Sequence, residues 1–116
     1  MIFVFGSNRQ GSHGKGAALH AVKAYGAVYG QAQGRQGNSY AIVTKELRKW
    51  MPPVALEEVR DGVDRFIAYA RANPELKFQL TPIGCGLAGF TVDQIAPLFA
   101  NAPDNVLLPD EFKSAI

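Results

Sequence analysis

A chain of 116 residues, 47% apolar and 19% charged, has the size of one domain and the composition of a packed globule, which excludes a disordered chain. Twelve basic against ten acidic side chains leave a net charge of +2, too small an excess to argue for nucleic acid, and no run nears the roughly 20 apolar residues that cross a bilayer. The lone Cys85 excludes an internal disulfide and a multi-cysteine zinc site, and His13 and His20 lack acidic ligands at metal spacing, so a cytoplasmic protein with no metal and no cofactor is expected.

Ile2 to Phe5 is a continuous apolar run that ends at Gly6, the pattern of a fully buried strand. Lys15 to Tyr25 places Ala17, Ala18, Ala21, Val22 and Tyr25 along one side of a helix, with Gly26 suited to close it. A glycine-rich stretch from Gly30 to Gly37 leads into Ser39 to Thr44, the second strand. Ala55 to Ala72 is the clearest helix: Leu56, Val59, Val63, Phe66, Ile67 and Ala70 share one face, and Pro52, Pro53 and Pro74 bracket it.

Leu76 to Thr81 reads as the third strand and Pro82 to Phe90 as its loop. Thr91 and Gln94 then match a capping box, opening a helix that carries Ile95, Leu98 and Phe99. Asn105 to Leu108 is a short last strand, and Pro109 to Ile116 is either a final turn or a frayed end. Such alternation predicts one domain over residues 1–116, an α/β fold of three layers (α/β/α) with a mostly parallel central sheet and right-handed crossovers.

Parallel strands send their carboxyl ends to one edge, where ligands of open α/β sheets bind. Three segments fall there: Gly6-Ser7-Asn8, Lys45 behind Thr44, and the loop from Ile83 to Phe90. Two of them lead toward helix N-termini, whose free N–H groups suit phosphate. Glycine is wanted at such points because a Cβ would hold a phosphate off the backbone. The alternative is that these glycines only make tight turns. Neither standard nucleotide fingerprint fits. A Walker loop would need glycine at position 9 and Ser or Thr at position 16, where the chain has Arg9 and Gly16, and Gly14-Lys15-Gly16 is followed by Ala17-Ala18-Leu19 instead of the dinucleotide pattern.

At these residues the chain resembles the macrodomain family of ADP-ribose binders. Gly6-Ser7-Asn8 is similar to the family's first-strand motif, His13-Gly14-Lys15-Gly16-Ala17-Ala18-Leu19 to its glycine-rich loop and helix start, and Pro82-Ile83-Gly84-Cys85-Gly86-Leu87 to its phosphate-cradling loop. In wording it is most similar to the branch that holds the terminal ADP-ribose glycohydrolase and the DNA-ADP-ribosyl glycohydrolase antitoxins, which also has a Thr-Lys pair like Thr44-Lys45. The chain would be a short bacterial or phage member.

That resemblance implies a macrodomain-like fold and a cleft for an ADP-ribose-like small molecule or an ADP-ribosylated macromolecule, with nucleic acid a partner only as modified substrate. The implied ligand contacts are Gly6, Ser7, Asn8, His13, Gly14, Lys15, Gly16, Ala17, Thr44, Gly84, Cys85, Gly86, Leu87, Ala88, Gly89 and Phe90. It also implies Lys45 as a catalytic nucleophile on the anomeric carbon of the distal ribose, against the plainer reading of a solvated loop lysine. Ala88 stands where the glycohydrolase has an acidic residue, which favours binding over turnover.

Several residues keep two readings. Asn8 is a ribose contact or an Asx turn, His13 a ligand contact or a cap, Cys85 an activated thiolate or a small packed residue, and Phe90 a stacking ring or a core residue. Trp50 is a lid or a loop anchor, and His20 reads as structural. A third class of function is an interaction protein whose apolar end, Leu107, Leu108, Phe112 and Ile116, forms a dimer contact. The oligomeric state stays open.

Overall fold

The computed structural model describes all 116 residues. The chain runs β1 (Ile2–Asn8), α1 (Gly16–Tyr25), β2 (Gly34–Gln36), β3 (Ser39–Lys45), α2 (Leu56–Ala72), β4 (Phe78–Leu80), α3 (Val92–Ile95) with a 3₁₀ turn over Ala96–Phe99, β5 (Val106–Leu107) and α4 (Asp110–Lys113). The sheet order is β2-β3-β1-β4-β5, parallel throughout except for the β2–β3 pair. Helices cover both faces, so the fold is a three-layer α/β/α sandwich.

β1 alternates between two cores, as a strand of period 2 must when both faces are covered. Phe3 and Phe5 pack with Ala18, Ala21, Ala27 and Ala41 under α1. The small alanines let that helix lie close, and the Phe3 ring stacks on Tyr25 with centroids 4.7 Å apart. Ile2 and Val4 face the larger core, which α2 fills with Val59, Val63, Phe66, Ile67 and Ala70. Phe66 is its centre, with ring centroids 5.0 Å from Tyr40 and 5.3 Å from Phe78. Burying each such side chain contributes roughly 1.5–3 kcal/mol before entropy is counted.

Helix ends follow local chemistry. Gly26 closes α1 in the left-handed region at φ 74°, and Thr91 with Gln94 forms the reciprocal capping box. The side chain of Asn105 donates to the carbonyls of Ala70, Asn73 and Leu76 at 2.9–3.2 Å, tying the end of α2 and the turn after it to the start of β5.

One element differs from the sequence expectation. β2 lies inside the stretch that reads as glycine-rich loop, and it pairs antiparallel with β3 through the two-residue turn Gly37-Asn38. Of the two alternatives for the tail, the final turn is the one present: α4 seats Phe112 in the large core with no exposure, its ring 5.9 Å from Phe99. Phe112 is therefore unavailable for a dimer contact, while Leu107 and Ile116 remain about half exposed. No helix is long and apolar enough to cross a membrane.

The Gly37 turn seats directly on the end of α1. A Cβ on Gly37 would stand 2.6 Å from the carbonyl oxygen of Gly26, and φ is +59° there. Gly37→Ala is therefore expected to lower unfolding free energy by about 2–4 kcal/mol, from strain plus displaced backbone. Gly14→Ala, at a position with ordinary φ and open space around it, is expected to shift it by less than about 0.5 kcal/mol. Urea midpoints of the two variants test the contrast.

Candidate functional site

The end of β1 is held by its own sequence. The Asn8 side chain donates from Nδ2 to the Ser12 carbonyl and accepts the Ser12 N–H at Oδ1, both at 2.9 Å, which closes the loop that carries the chain toward α1. Next to it the pairing of β1 with β3 skips Thr44, moving from Ser7–Val43 to Asn8–Lys45. Such an irregularity twists a strand end and re-aims its side chains. Thr44 is buried and its Oγ1 donates to the Ser7 carbonyl at 3.3 Å, while Lys45 lies at the surface of the rim.

A cavity of about 580 Å³ opens at this edge, within the range of small-molecule sites. Its walls are the end of β1, the Ser12–Ala18 segment, the end of β3 with Leu47, and the loop after β4 from Thr81 to Ala88. The strands bring the loop close: a Cβ on Gly6 would stand 3.5 Å from Cβ of Ile83 and 3.6 Å from the Gly84 nitrogen.

Of the residues picked out from sequence, Gly6, Ser7, Asn8, Gly14, Lys15, Gly16, Ala17, Thr44, Lys45, Gly84, Gly86, Leu87 and Ala88 line this one cavity. His13, Cys85, Gly89 and Phe90 do not. His13 is 1% exposed and lies behind the loop, its Nε2 at 3.0 Å from the Gln31 carbonyl and 3.1 Å from Gln36 Oε1. Both partners accept, since Gln36 Oε1 also takes the Val28 N–H, so Nε2 carries the proton. Cys85 turns toward the large core with Sγ 3.4 Å from the Ile83 carbonyl. Burial, with the charge of Glu111, pushes its thiol above the ordinary value, the opposite of an activated thiolate. Phe90 packs against the same core, and Gly89, at φ 84°, turns the chain toward α3.

The sequence reading missed Ser12, Leu47 and Thr81, and it had Ala18, Pro82 and Ile83 within its motifs without assigning them as contacts. Thr81 had a usable signal, since it follows a strand on the same edge. Leu47 and Ser12 reach the cavity through the Asn8 and Gln10 side chains that fold their segments, Gln10 Oε1 taking the Leu47 N–H at 3.1 Å.

Two groups of backbone amides on residues that line this space have no protein acceptor. In the loop after β4, the N–H groups of Ile83, Cys85, Gly89 and Phe90 bond to carbonyls of Thr81, Pro82, Gly86 and Gly84, which leaves those of Gly84, Gly86, Leu87 and Ala88 free. At the start of α1, Lys15 gives no side-chain cap and no acidic residue occupies the first turn. Lys15 and Lys45 are the only titratable side chains on the wall, and neither forms a salt bridge.

Glu46 directly follows Lys45 and is covered elsewhere, with a side chain 1% exposed. Arg48 binds it at 2.9 Å and Arg9 at 3.3 Å, and Gln10 adds a further hydrogen bond. Arg9 also grips Glu58 in the first turn of α2, with Nε donating to Oε2 at 2.9 Å, and donates to the Pro52 carbonyl at 2.8 Å. The Arg48 hydrogen bonds, ahead of those from Gln10 and Arg9, hold the Glu46 carboxyl down at about 2. The Arg9 hydrogen bond lowers Glu58, and chiefly for the reciprocal reason Arg9 is raised.

No protein-family model matches the chain, and no curated protein does. A solved structure of a protein of unknown function from Bacteroides thetaiotaomicron is similar, with TM-score 0.59 and 19% sequence identity over 87% of this chain and 80% of that one. That likeness shows the fold alone.

The carboxylates of Glu46 and Glu58 have folded pKa values below the usual 4.5, so their contribution to stability is full above that value and is lost as the pH falls toward about 2. Urea midpoints are expected to decline from about pH 5 to about pH 2, and Glu46→Gln is expected to make that decline shallower. An unchanged acid slope in the variant would contradict the arrangement of this cluster.

Proposed function

We propose that the chain binds ADP-ribose or a related ADP-ribose-derived nucleotide in the cavity at the strand ends, as a small macrodomain-like protein. The observation that carries the reading is the charge of the wall. Residues of two segments with amides that no protein group accepts, and two lysines outside any salt bridge, line a space of about 580 Å³ that no carboxylate lines. Amides in such turns, helix N-termini and ammonium groups all favour an anion, and a diphosphate spans two amide clusters where a single phosphate meets one. The resemblance of Gly6-Ser7-Asn8, His13 to Leu19 and Pro82 to Leu87 to macrodomain motifs supplies the ADP-ribose part of the proposal, and a cytoplasmic location belongs to it with the lone Cys85.

A second reading rests on Lys45 itself. A lysine on the cavity wall without a carboxylate partner is suited to attack an anomeric carbon: its nitrogen forms the new bond, the glycosidic bond breaks, and that electron pair leaves with the modified protein or nucleic acid. Water then releases the sugar from the lysine. The wall offers no carboxylic acid, histidine or thiol to protonate the leaving group, and general acid catalysis commonly contributes about 10²–10⁴-fold. For that reason binding stands first.

ADP-ribose at saturating concentration is expected to raise the melting temperature by several degrees, since ligand at about 100 times its Kd adds roughly 2.7 kcal/mol. Lys45→Ala is expected to weaken calorimetric affinity about tenfold or more, the usual effect of losing a charge-assisted contact. Failure of ADP-ribose to bind below millimolar concentration would overturn the proposal. Trapping of a borohydride-stable adduct on Lys45 would promote the hydrolase reading above it.

A further inference from the structure

The neutral polar side chains of the cavity are all engaged with the protein itself. Ser7 Oγ donates to the Ala32 carbonyl, Thr44 Oγ1 to the Ser7 carbonyl at 3.3 Å, and Thr81 Oγ1 to the Val4 carbonyl at 2.7 Å. Ser12 Oγ lies 2.6 Å from the Tyr29 hydroxyl. Asn8, the one amide side chain on the wall, has its oxygen and its nitrogen both turned onto the backbone of Ser12.

Beyond hydroxyl lone pairs and backbone carbonyls, which every such wall has, what the cavity's side chains and loops offer a ligand is cationic or donating: the loop amides without a protein acceptor and the ammonium groups of Lys15 and Lys45. Such groups bind phosphate oxygens well. They tell nucleobases apart poorly, because a base edge is distinguished by a donor and an acceptor held side by side, as a free amide or carboxylate side chain presents them. No Asp, Glu, Gln, His or Arg lines the cavity. The remaining rim side chains of any size are aliphatic, Leu47 at 44% and Leu87 at 79% exposure. They offer apolar contact to the face of any base, and every base has such a face.

We infer that the cavity selects its ligand by the diphosphate and leaves the nucleobase unread, so that its ligand class is nucleoside diphosphate riboses of any base. This rests on the nucleotide reading above and narrows it: the adenine is incidental, and the two phosphates are what the wall recognises. Lys15 contributes charge without base preference, so its loss acts on every member of the class alike.

Calorimetry on the full chain with ADP-ribose, GDP-ribose, UDP-ribose and AMP tests this. The three diphosphate riboses are expected to bind within about threefold of one another, and AMP at least about tenfold more weakly. Lys15→Ala is expected to weaken all three by a common factor. A preference of tenfold or more for ADP-ribose over GDP-ribose overturns the inference while leaving nucleotide binding intact. AMP binding as tightly as ADP-ribose also overturns it, since the second phosphate would then add nothing. Absence of binding by all three diphosphate riboses removes the nucleotide reading and the inference together.

Discussion

β1 pairs in parallel with β3 on one edge and with β4 on the other, and it is buried under helices on both faces. A strand in that position cannot slip by one residue without exchanging its two hydrophobic sets, Ile2 with Val4 against Phe3 with Phe5. Its register therefore fixes where Gly6, Ser7 and Asn8 leave the sheet, and the parallel partners deliver Lys45 and the loop at Gly84 to the same level. The cavity is the gap these three ends leave. Its geometry is thus set by core packing some distance from any ligand group, which is how a rigid scaffold carries loops with little side-chain structure of their own.

The glycines divide by what surrounds them. Gly11, Gly26 and Gly37 take positive φ where one backbone rests on another, Gly11 against Gly30 and Gly26 against Gly37, and these contacts fasten the β2–β3 hairpin and the Val28–Gln31 turn beneath α1. Gly14 and Gly86 have ordinary φ and nothing within 4 Å of where a Cβ would be. Neither strain nor crowding explains those two. Both line the cavity, where a bare backbone lets an anion approach the neighbouring N–H groups.

Much of the fold was legible because burial leaves periodic marks. The face of α2 from Leu56 to Ala70 and the capping box at Thr91 both lie in local sequence, and both are present. β2 was not legible: Gly34-Arg35-Gln36 has no β-branched or aromatic residue, and its pairing comes from the turn that follows and from Gln36, a buried amide bonded to Val28, Gln31 and Gly34. The tail stayed open between a final turn and a frayed end for a related reason, since one buried ring, Phe112, carries no period. Glycine clusters and parallel strand order pointed to the edge where the cavity lies. Whether a polar residue faces the cavity or the protein interior was beyond local pattern, because His13 is drawn inward by Gln31 and Gln36, far along the chain.

The same limit bears on charge. Lys45 and Glu46 are neighbours in sequence, and read in line they would neutralise each other. In the fold Glu46 is removed from the account by Arg48, Arg9 and Gln10, its side chain almost wholly covered, while Arg9 continues to Glu58 and so ties the rim to the first turn of α2. The carboxylate that stands nearest Lys45 along the chain is thereby satisfied away from the cavity, and the ammonium is left facing it without a partner. Two guanidiniums and two carboxylates, Glu46 and Glu58, balance within this cluster, so neither glutamate is left over to neutralise the lysine. The charge of the site is set by this cluster outside it as much as by the lysines within.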